Sequence, residues 1–183
     1  LRSWQSEGGA RHLAYAHDHA ALVDGFVRLH EATGVRRWLD EAASTATSLL
    51  DLFGSDGEDG SGFGLATTGI DAEELLARPR DLMDNATPSA NSTAAIALRR
   101  LAALLDGDDP RATRFRTAAD EIVGALAEVG AANPLAFANL LLALELDPVT
   151  EVVVAGDRPD LVDAVRSTWR PTVVLTWGER GTG

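Results

Sequence analysis

The stretch DNATPSANSTAAIALRRLAALLDG, residues 84–107, joins a polar segment to an amphipathic helix. Apolar residues recur at helical spacing through its second half: Ala94, Leu98, Leu101 and Leu105. Gly107 follows them, as expected just beyond the end of a helix. Thr87 or Ser89 is predicted to cap the start of this helix, with Pro88 at or near its first position. The stretch therefore predicts one helix of a mainly helical fold.

The polarity of this stretch exceeds what a single helix cap requires. Asn91, Ser92 and Thr93 compete with the backbone for hydrogen bonds and are mediocre inside a helix unless other groups bind them. A helix N-terminus presents free N–H groups and a partial positive charge, so polar side chains gathered there suit a sugar hydroxyl or an anion. Capping alone and a binding site are equally open interpretations of this run.

The sequence on either side predicts helical hairpins. Apolar periodicity predicts a first helix over residues 12–33 and a second helix from about residue 39 to residue 53. The connection between them is very short, which forces the two helices to pack antiparallel. Two X-Pro signals, Asp109-Pro110 and Asn133-Pro134, predict the starts of a fourth and a fifth helix.

The last part of the chain has a different pattern. Residues 151–155 and 172–176 are β-branched apolar runs, and residues 161–169 between them are helical in pattern. This order predicts a strand, a helix and a parallel strand joined by a right-handed crossover. We therefore divide the chain into helical hairpins over residues 1–148 and a β-α-β appendage over residues 149–183, packed on the helices.

Composition excludes several classes of function. Sixteen basic and 28 acidic residues give a formal charge of −12, which disfavours nucleic acid and anionic membranes as partners. The most apolar run, residues 135–146, is too short to span a bilayer. We expect a cytoplasmic protein without a cofactor or a metal. Since a helical pattern begins a few residues after Leu1 without a preceding turn, we also expect a piece of a longer chain.

A second polar cluster lies near the start of the first helix. Tyr15, Asp18 and His19 share one helical face, because they are spaced at i, i+3 and i+4. A carboxylate beside an imidazole on a buried face is a plausible acid/base pair, and a hydrogen-bonded first turn is the commoner alternative. His17 and His19 point apart on a helix, so a metal site is a weak interpretation.

The connection over residues 54–87 is unusually long for a compact domain, and such connections are usually functional or disordered. Its acidic turn, residues 56–61, lacks the ligand spacing of a calcium loop. Arginines and carboxylates end the connection: Arg78, Arg80, Asp81 and Asp84. A network of loop charges and a carbohydrate or acid site both account for that set.

Four segments in this order resemble the C-terminal part of the YyaL-type proteins, which contain a thioredoxin domain and are also called spermatogenesis-associated-protein-like. The segments are YAHDHAALVDGFVRLHEATG, LFGSDGEDGSGFG, RPRDLMDNATPSANSTAA and VVVAGD. The resemblance implies part of an (α/α)6 toroid of the six-hairpin glycosidase kind, with helices one, three and five inside and helices two and four outside. It also implies that a thioredoxin-like domain and about half of the ring are missing. The exposed apolar flank should then pair with the missing part or drive self-association.

The resemblance implies a sugar pocket on the face that carries the N-termini of the inner helices. Asp18 and Asp84 are the candidate acid/base carboxylates on that face. The candidate binding residues are Tyr15, His19, Arg78, Ser89 and Asn91. A carbohydrate-like small molecule is the expected ligand in the full-length protein. The alternative is a non-catalytic helical interaction or scaffold module that keeps the toroid shape.

Overall fold

The computed structural model describes residues 2–5, 9–54, 63–72 and 77–178, with side chains from residue 12 onward. In chain order the elements are β1 Arg2–Gln5, β2 Gly9–Leu13, α1 Ala16–Thr33, α2 Arg36–Phe53, α3 Ala90–Leu104, α4 Pro110–Ala132, α5 Ala138–Glu145, β3 Thr150–Ala155, α6 Pro159–Arg166 and β4 Val173–Gly178. A 3₁₀ turn, Pro134–Ala136, comes directly before α5. Along the residues described, no helix has both the length and the apolarity needed to cross a bilayer.

The predicted hairpin of α1 and α2 is confirmed. Gly34 ends α1 in the left-handed conformation, with φ of 70°, and its N–H donates to the His30 carbonyl. This conformation is easily adopted only by glycine, and it turns the chain straight into α2. Apolar residues at helical spacing on both helices are fully buried: Ala20, Val23, Val27, Leu39, Ala42 and Leu49.

The five main helices form two layers. The start of α1 and the start of α3 both contact the connection at residues 65–67, and Glu31 near the end of α1 pairs with Arg100 on α3. Helices α1 and α3 are therefore parallel. Helix α5 packs beside α3 with its start held at the same end, while α2 and α4 run in the opposite direction. This arrangement is a partial (α/α)6 toroid with α1, α3 and α5 as the inner row, so the predicted fold class is confirmed.

Three details of the helices differ from prediction. Helix α1 begins at Ala16 rather than at residue 12, because residues 9–13 pair as an antiparallel strand with residues 2–5. Pro88 lies before the cap of α3 rather than inside the helix, since Ser89 is the capping residue. The fifth helical segment is divided into the 3₁₀ turn and α5, because Phe137 has a φ of −139° and interrupts the helix.

The C-terminal segment forms the predicted strand, helix and parallel strand. β3 and β4 pair in parallel, with Thr150 opposite Val173, and α6 lies between them in sequence. Beneath α6 a small apolar cluster is built from Val154, Val162 and Leu175. Val174 belongs instead to the core of the helical body. The Trp177 indole N–H donates to the Glu31 carbonyl over 2.8 Å, and its ring lies against the turn at Gly34. The division of the chain at residue 148 stays a prediction.

Candidate site at the first turns of the inner helices

Asp84 is buried, with 7% of its surface exposed, and joins two helix N-termini. Its Oδ1 accepts from the Ser89 N–H over 2.9 Å, at the cap of α3. Its Oδ2 accepts from the N–H groups of Asn139 and Leu140 over 2.8 and 3.1 Å, in the first turn of α5. Free N–H groups and the helix dipole both favour a carboxylate at such a position. Asp84 therefore acts as a cap shared by α3 and α5.

The remaining polar residues at the start of α3 are buried as well. The Ser89 hydroxyl accepts from the Ser92 N–H over 3.0 Å, which is a regular helix cap. Asn91 is fully buried, and its Oδ1 accepts from the Leu65 N–H over 2.7 Å. The Asn91 amide nitrogen donates to the carbonyls of Leu65 and Asp81 over 3.1 and 2.8 Å. Asn91 thus fastens the long connection over the start of α3.

Arg78 has a comparable role inside the connection. One terminal nitrogen of its guanidinium donates to the carbonyls of Leu52 and Thr68 over 2.9 and 3.0 Å. Leu52 lies in the last turn of α2, where carbonyl groups lack helical partners and a cation is favoured. Arg78 therefore ties the connection to the end of an outer helix.

The first turn of α1 is more exposed. Tyr15 has 52% of its surface exposed, and Asp18 is exposed as well. The Asp18 Oδ2 accepts from the Tyr15 N–H over 2.8 Å, which closes the first turn of the helix. His19 is buried, and its Nδ1 lies 3.1 Å from the Tyr15 carbonyl, so Nδ1 carries the proton. The Nε2 of His19 has no hydrogen-bond partner within the part of the chain that the structure describes.

The connection brings the two predicted clusters to the same end of the molecule. The Ala16 N–H donates to the Thr67 carbonyl over 3.1 Å, and the Thr67 N–H donates to the Pro79 carbonyl over 2.7 Å. Asn91 binds the same segment at Leu65. Of the predicted site residues, Tyr15 and Asp18 are presented to solvent at this end, whereas Asp84, Ser89 and Asn91 are buried. Among the described residues, no group of three or more metal-ligating side chains converges.

A cleft of about 360 Å³ opens on the outer side of the same end. It lies between the end of α2 and the first half of α4, and Gly64, Leu65, Arg114 and Glu121 are among its lining residues. None of the predicted site residues lines it. The cleft therefore borders the polar cluster at the start of α3 only through Gly64 and Leu65, which contact Asn91.

The fold is similar to that of solved helical toroids. The chain superposes on UGL, solved with dGlcA-Glc-Rha-Glc, with a TM-score of 0.52 and 23% identity, over 70% of this chain and 30% of that chain. It also matches the unsaturated glucuronyl hydrolase from Bacillus sp. GL1, responsible for the degradation of glycosaminoglycan, with a TM-score of 0.49 and 22% identity, over 69% of this chain and 33% of that chain. The chain thus spans about a third of the length of these proteins. No family model and no curated protein matches the sequence.

The likeness to UGL defines a class of fold, the helical toroid of the six-hairpin glycosidase kind. Similarity at this level of identity concerns the fold alone, because one fold carries many different sites. The particular chemistry of this chain must therefore be argued from its own residues.

The sequence did not indicate how Asp84 and Asn91 are used. The partners of Asp84 in α5 lie 55 and 56 residues away, and no local pattern marks such a pair. For Asn91 a signal exists: it is spaced at i, i+3 and i+7 with Ala94 and Leu98, so it lies on the apolar face of α3. A polar side chain on a buried face predicts a specific hydrogen-bond partner.

Proposed function

We propose that this chain is the C-terminal portion of a six-hairpin toroid protein that binds or processes carbohydrate. In this proposal the ligand binds at the end of the inner row, over the first turns of α1, α3 and α5. The observation that carries the proposal is the shared contact of α1 and α3 with residues 65–67, which gathers these first turns under one connection. The fold similarity to UGL, which was solved with a saccharide, supports carbohydrate as the class of ligand.

The proposal gives different roles to the two candidate carboxylates. Asp18 is exposed, and only its Oδ2 has a hydrogen-bond partner among the described residues, so Oδ1 is free to exchange a proton with a ligand. Asp84 is buried and accepts three backbone N–H groups, which supports a positioning role. Tyr15 beside Asp18 offers an exposed aromatic ring and a hydroxyl, which suit a sugar. The buried His19 supports this turn through the contact of its Nδ1 with the Tyr15 carbonyl.

The remaining predicted binding residues fix the backbone around the proposed site. Ser89 and Asn91 fix the start of α3, and Arg78 fixes the connection to α2. We also propose, from the resemblance to the YyaL-type proteins, that the rest of the ring and a thioredoxin-like domain complete the protein. Exposed apolar side chains near α1, Leu22, Leu29 and Val35, support a contact with that missing part or with a second copy.

The first test measures saccharide binding by the 183-residue chain, with the backbone amide chemical shifts in NMR as the readout. Neutral and uronic-acid-containing oligosaccharides are titrated, and the amides of residues 15–18 are expected to shift. Asp18→Asn is expected to weaken binding at least tenfold, because it removes the free carboxylate oxygen. Asp108→Asn, another exposed carboxylate in the α3–α4 turn, is the matched control and should bind as the wild type does. Shifts confined to other surfaces, or an unchanged affinity in Asp18→Asn, contradict the proposal.

A non-catalytic scaffold is the second candidate, and one observation favours it. Asp84, Asn91 and Ser89 direct their side-chain hydrogen bonds to backbone groups or to Ser92, which is what a purely architectural cluster requires. A chain that binds no saccharide in the titration, yet binds the missing part of the ring, fits this second function instead.

A further inference from the structure

A second cleft, of about 380 Å³, lies between the C-terminal half of α1 and the segment that joins α6 to β4. Three arginines and an exposed tryptophan line it: Arg28, Arg166, Arg170 and Trp169. We call these four residues and the space between them the arginine cleft. Its volume lies within the usual range of small-ligand pockets, which is about 300–1,000 Å³.

The arginine cleft has a positive charge although the chain as a whole carries −12. Glu31 is the carboxylate in its lining, and both of its oxygens already accept from Arg100, over 2.9 and 2.8 Å. Oε1 of Glu31 also accepts from the Leu175 N–H over 3.1 Å. Glu31 is therefore paired with Arg100, and its remaining electrostatic effect falls on Arg28.

The three arginines of the cleft differ in their partners. Arg28 donates to Asp24 over 2.7 Å, and this hydrogen bond raises the pKa of its guanidinium above the ordinary value. Arg166 donates to the Glu31 and Ala32 carbonyls, which are neutral acceptors, so its full charge remains. The Arg170 guanidinium has no hydrogen-bond or ion-pair partner among residues 2–5, 9–54, 63–72 and 77–178. Arg166 and Arg170 thus provide two cations with no carboxylate partner in the described part of the chain.

Trp169 adds a flat apolar surface beside these cations. It has 84% of its surface exposed, which is unusual for so large an apolar side chain. An exposed indole next to guanidinium groups can stack on a ring while the arginines bind an anionic substituent of that ring. The strong negative charge of the rest of the chain disfavours a long polyanion, so a small ligand fits the electrostatics better.

We propose that the arginine cleft binds a small ligand that combines a ring with a carboxylate or phosphate group, such as an acidic monosaccharide. The cleft lies at the opposite half of α1 from the site in the proposed function. Arg28 follows Tyr15 by 13 residues, which corresponds to about 20 Å along a helix of 1.5 Å rise per residue. Ligand binding at the arginine cleft can therefore be tested independently of ligand binding at the first turns.

Titrations with defined probes test this proposal on the whole 183-residue chain. Glucuronate and glucose 6-phosphate are added in turn, with glucose as the neutral control, and binding is followed by calorimetry and tryptophan fluorescence. Both anions are expected to bind at least tenfold more tightly than glucose, and the stronger of the two identifies carboxylate or phosphate as the preferred group. Their affinity should fall as the salt concentration rises, since the cleft is open to solvent.

Substitutions at exposed positions locate the binding. Arg170→Gln and Trp169→Ala are each expected to weaken binding of the anions at least fivefold, because the first removes a cation and the second removes the stacking surface. Arg37→Gln on the outer helix α2 changes another exposed arginine, outside the cleft, and should leave the affinity unchanged. Circular dichroism confirms that each variant is folded. Equal affinity for glucose and the two anions, no binding of either anion, or unchanged affinity in Arg170→Gln overturns the proposal.

Discussion

Replacing Asp84 with alanine should separate the two roles considered for this carboxylate. The substitution removes the acceptor of three backbone N–H groups: Ser89, Asn139 and Leu140. The last two groups belong to the first turn of α5, where the preceding Phe137 provides no side-chain cap. In Asp84→Ala the starts of α3 and α5 therefore lose the group that joins them.

The expected loss of stability follows from these bonds. Loss of a helix cap costs about 1 kcal/mol, and a hydrogen bond to a charged group contributes about 1.5–3 kcal/mol. Asp84→Ala is therefore expected to lower the free energy of unfolding by about 3 kcal/mol. Asp84→Asn keeps one acceptor oxygen and should lose about half as much. Globular domains are stable by about 5–15 kcal/mol, so both variants should still fold.

Urea denaturation followed by circular dichroism measures these differences. Asp81→Ala is the matched control, because Asp81 is exposed and its side chain has no partner among the described residues; it should change stability by less than about 0.5 kcal/mol. Hydrogen exchange provides a local readout, since the amides of Asn139 and Leu140 should exchange faster in Asp84→Ala. If Asp84→Ala lowers the free energy of unfolding by less than about 1 kcal/mol, Asp84 is not a shared cap. Asp84 would then again be a candidate acid/base carboxylate.

Two further predictions concern the close approach of Gly64 to Asn91 and the pH dependence of the cap of α4. Gly64→Ala should lower the free energy of unfolding, measured by urea denaturation, by about 2 kcal/mol, because Gly64 has a φ of +72° and a Cβ there would collide with the Asn91 side chain. The control is Gly124→Ala, whose added Cβ meets no neighbour, so this variant should be neutral or stabilising. Equal effects of the two substitutions would contradict this account. The hydrogen bond from the Arg111 side chain holds the pKa of Asp109 below its ordinary value. The charged Asp109 therefore stabilises the start of α4 fully when the pH is above the ordinary pKa, which is about 4. This stabilisation is lost as the pH falls through the lowered pKa. Asp109→Ala should therefore cost about 1 kcal/mol in thermal or urea unfolding at pH 7 and progressively less as the pH falls below the ordinary pKa of aspartate, and a difference that does not change with pH would rule out the charged cap.

The helices were predictable where their signals are local. Asp109-Pro110 marks the start of α4 by the capping preference of aspartate and the fixed φ of proline, and the structure begins this helix at Pro110. The start of α1 was missed because the strand at residues 9–13 depends on its pairing with residues 2–5, which no helical periodicity reveals. Tertiary pairing overrode the local pattern there.

The position of the polar run was predictable from the sequence, but the contacts of its residues were not. The polar run of residues 84–93 does lie at the N-terminal end of a helix, as its composition indicated, and the resemblance to toroid proteins implied that this helix is an inner one. The sequence left open whether these residues cap the helix or bind a ligand. The structure shows Ser89 as the cap, with Asp84 and Asn91 bound to backbone groups distant in sequence. The partners of Asp84 leave no trace in local spacing, whereas the place of Asn91 on the apolar face of α3 indicates a partner without identifying it.

Trp177 joins the last described strand to the first helical hairpin, because its indole N–H donates to the Glu31 carbonyl, 146 residues earlier. The ring lies against Gly34, where a Cβ would approach it within 3.1 Å. Gly34 also has the left-handed conformation that ends α1. One residue without a side chain therefore serves both the α1–α2 turn and the seat of β4, so any side chain at position 34 would disturb both.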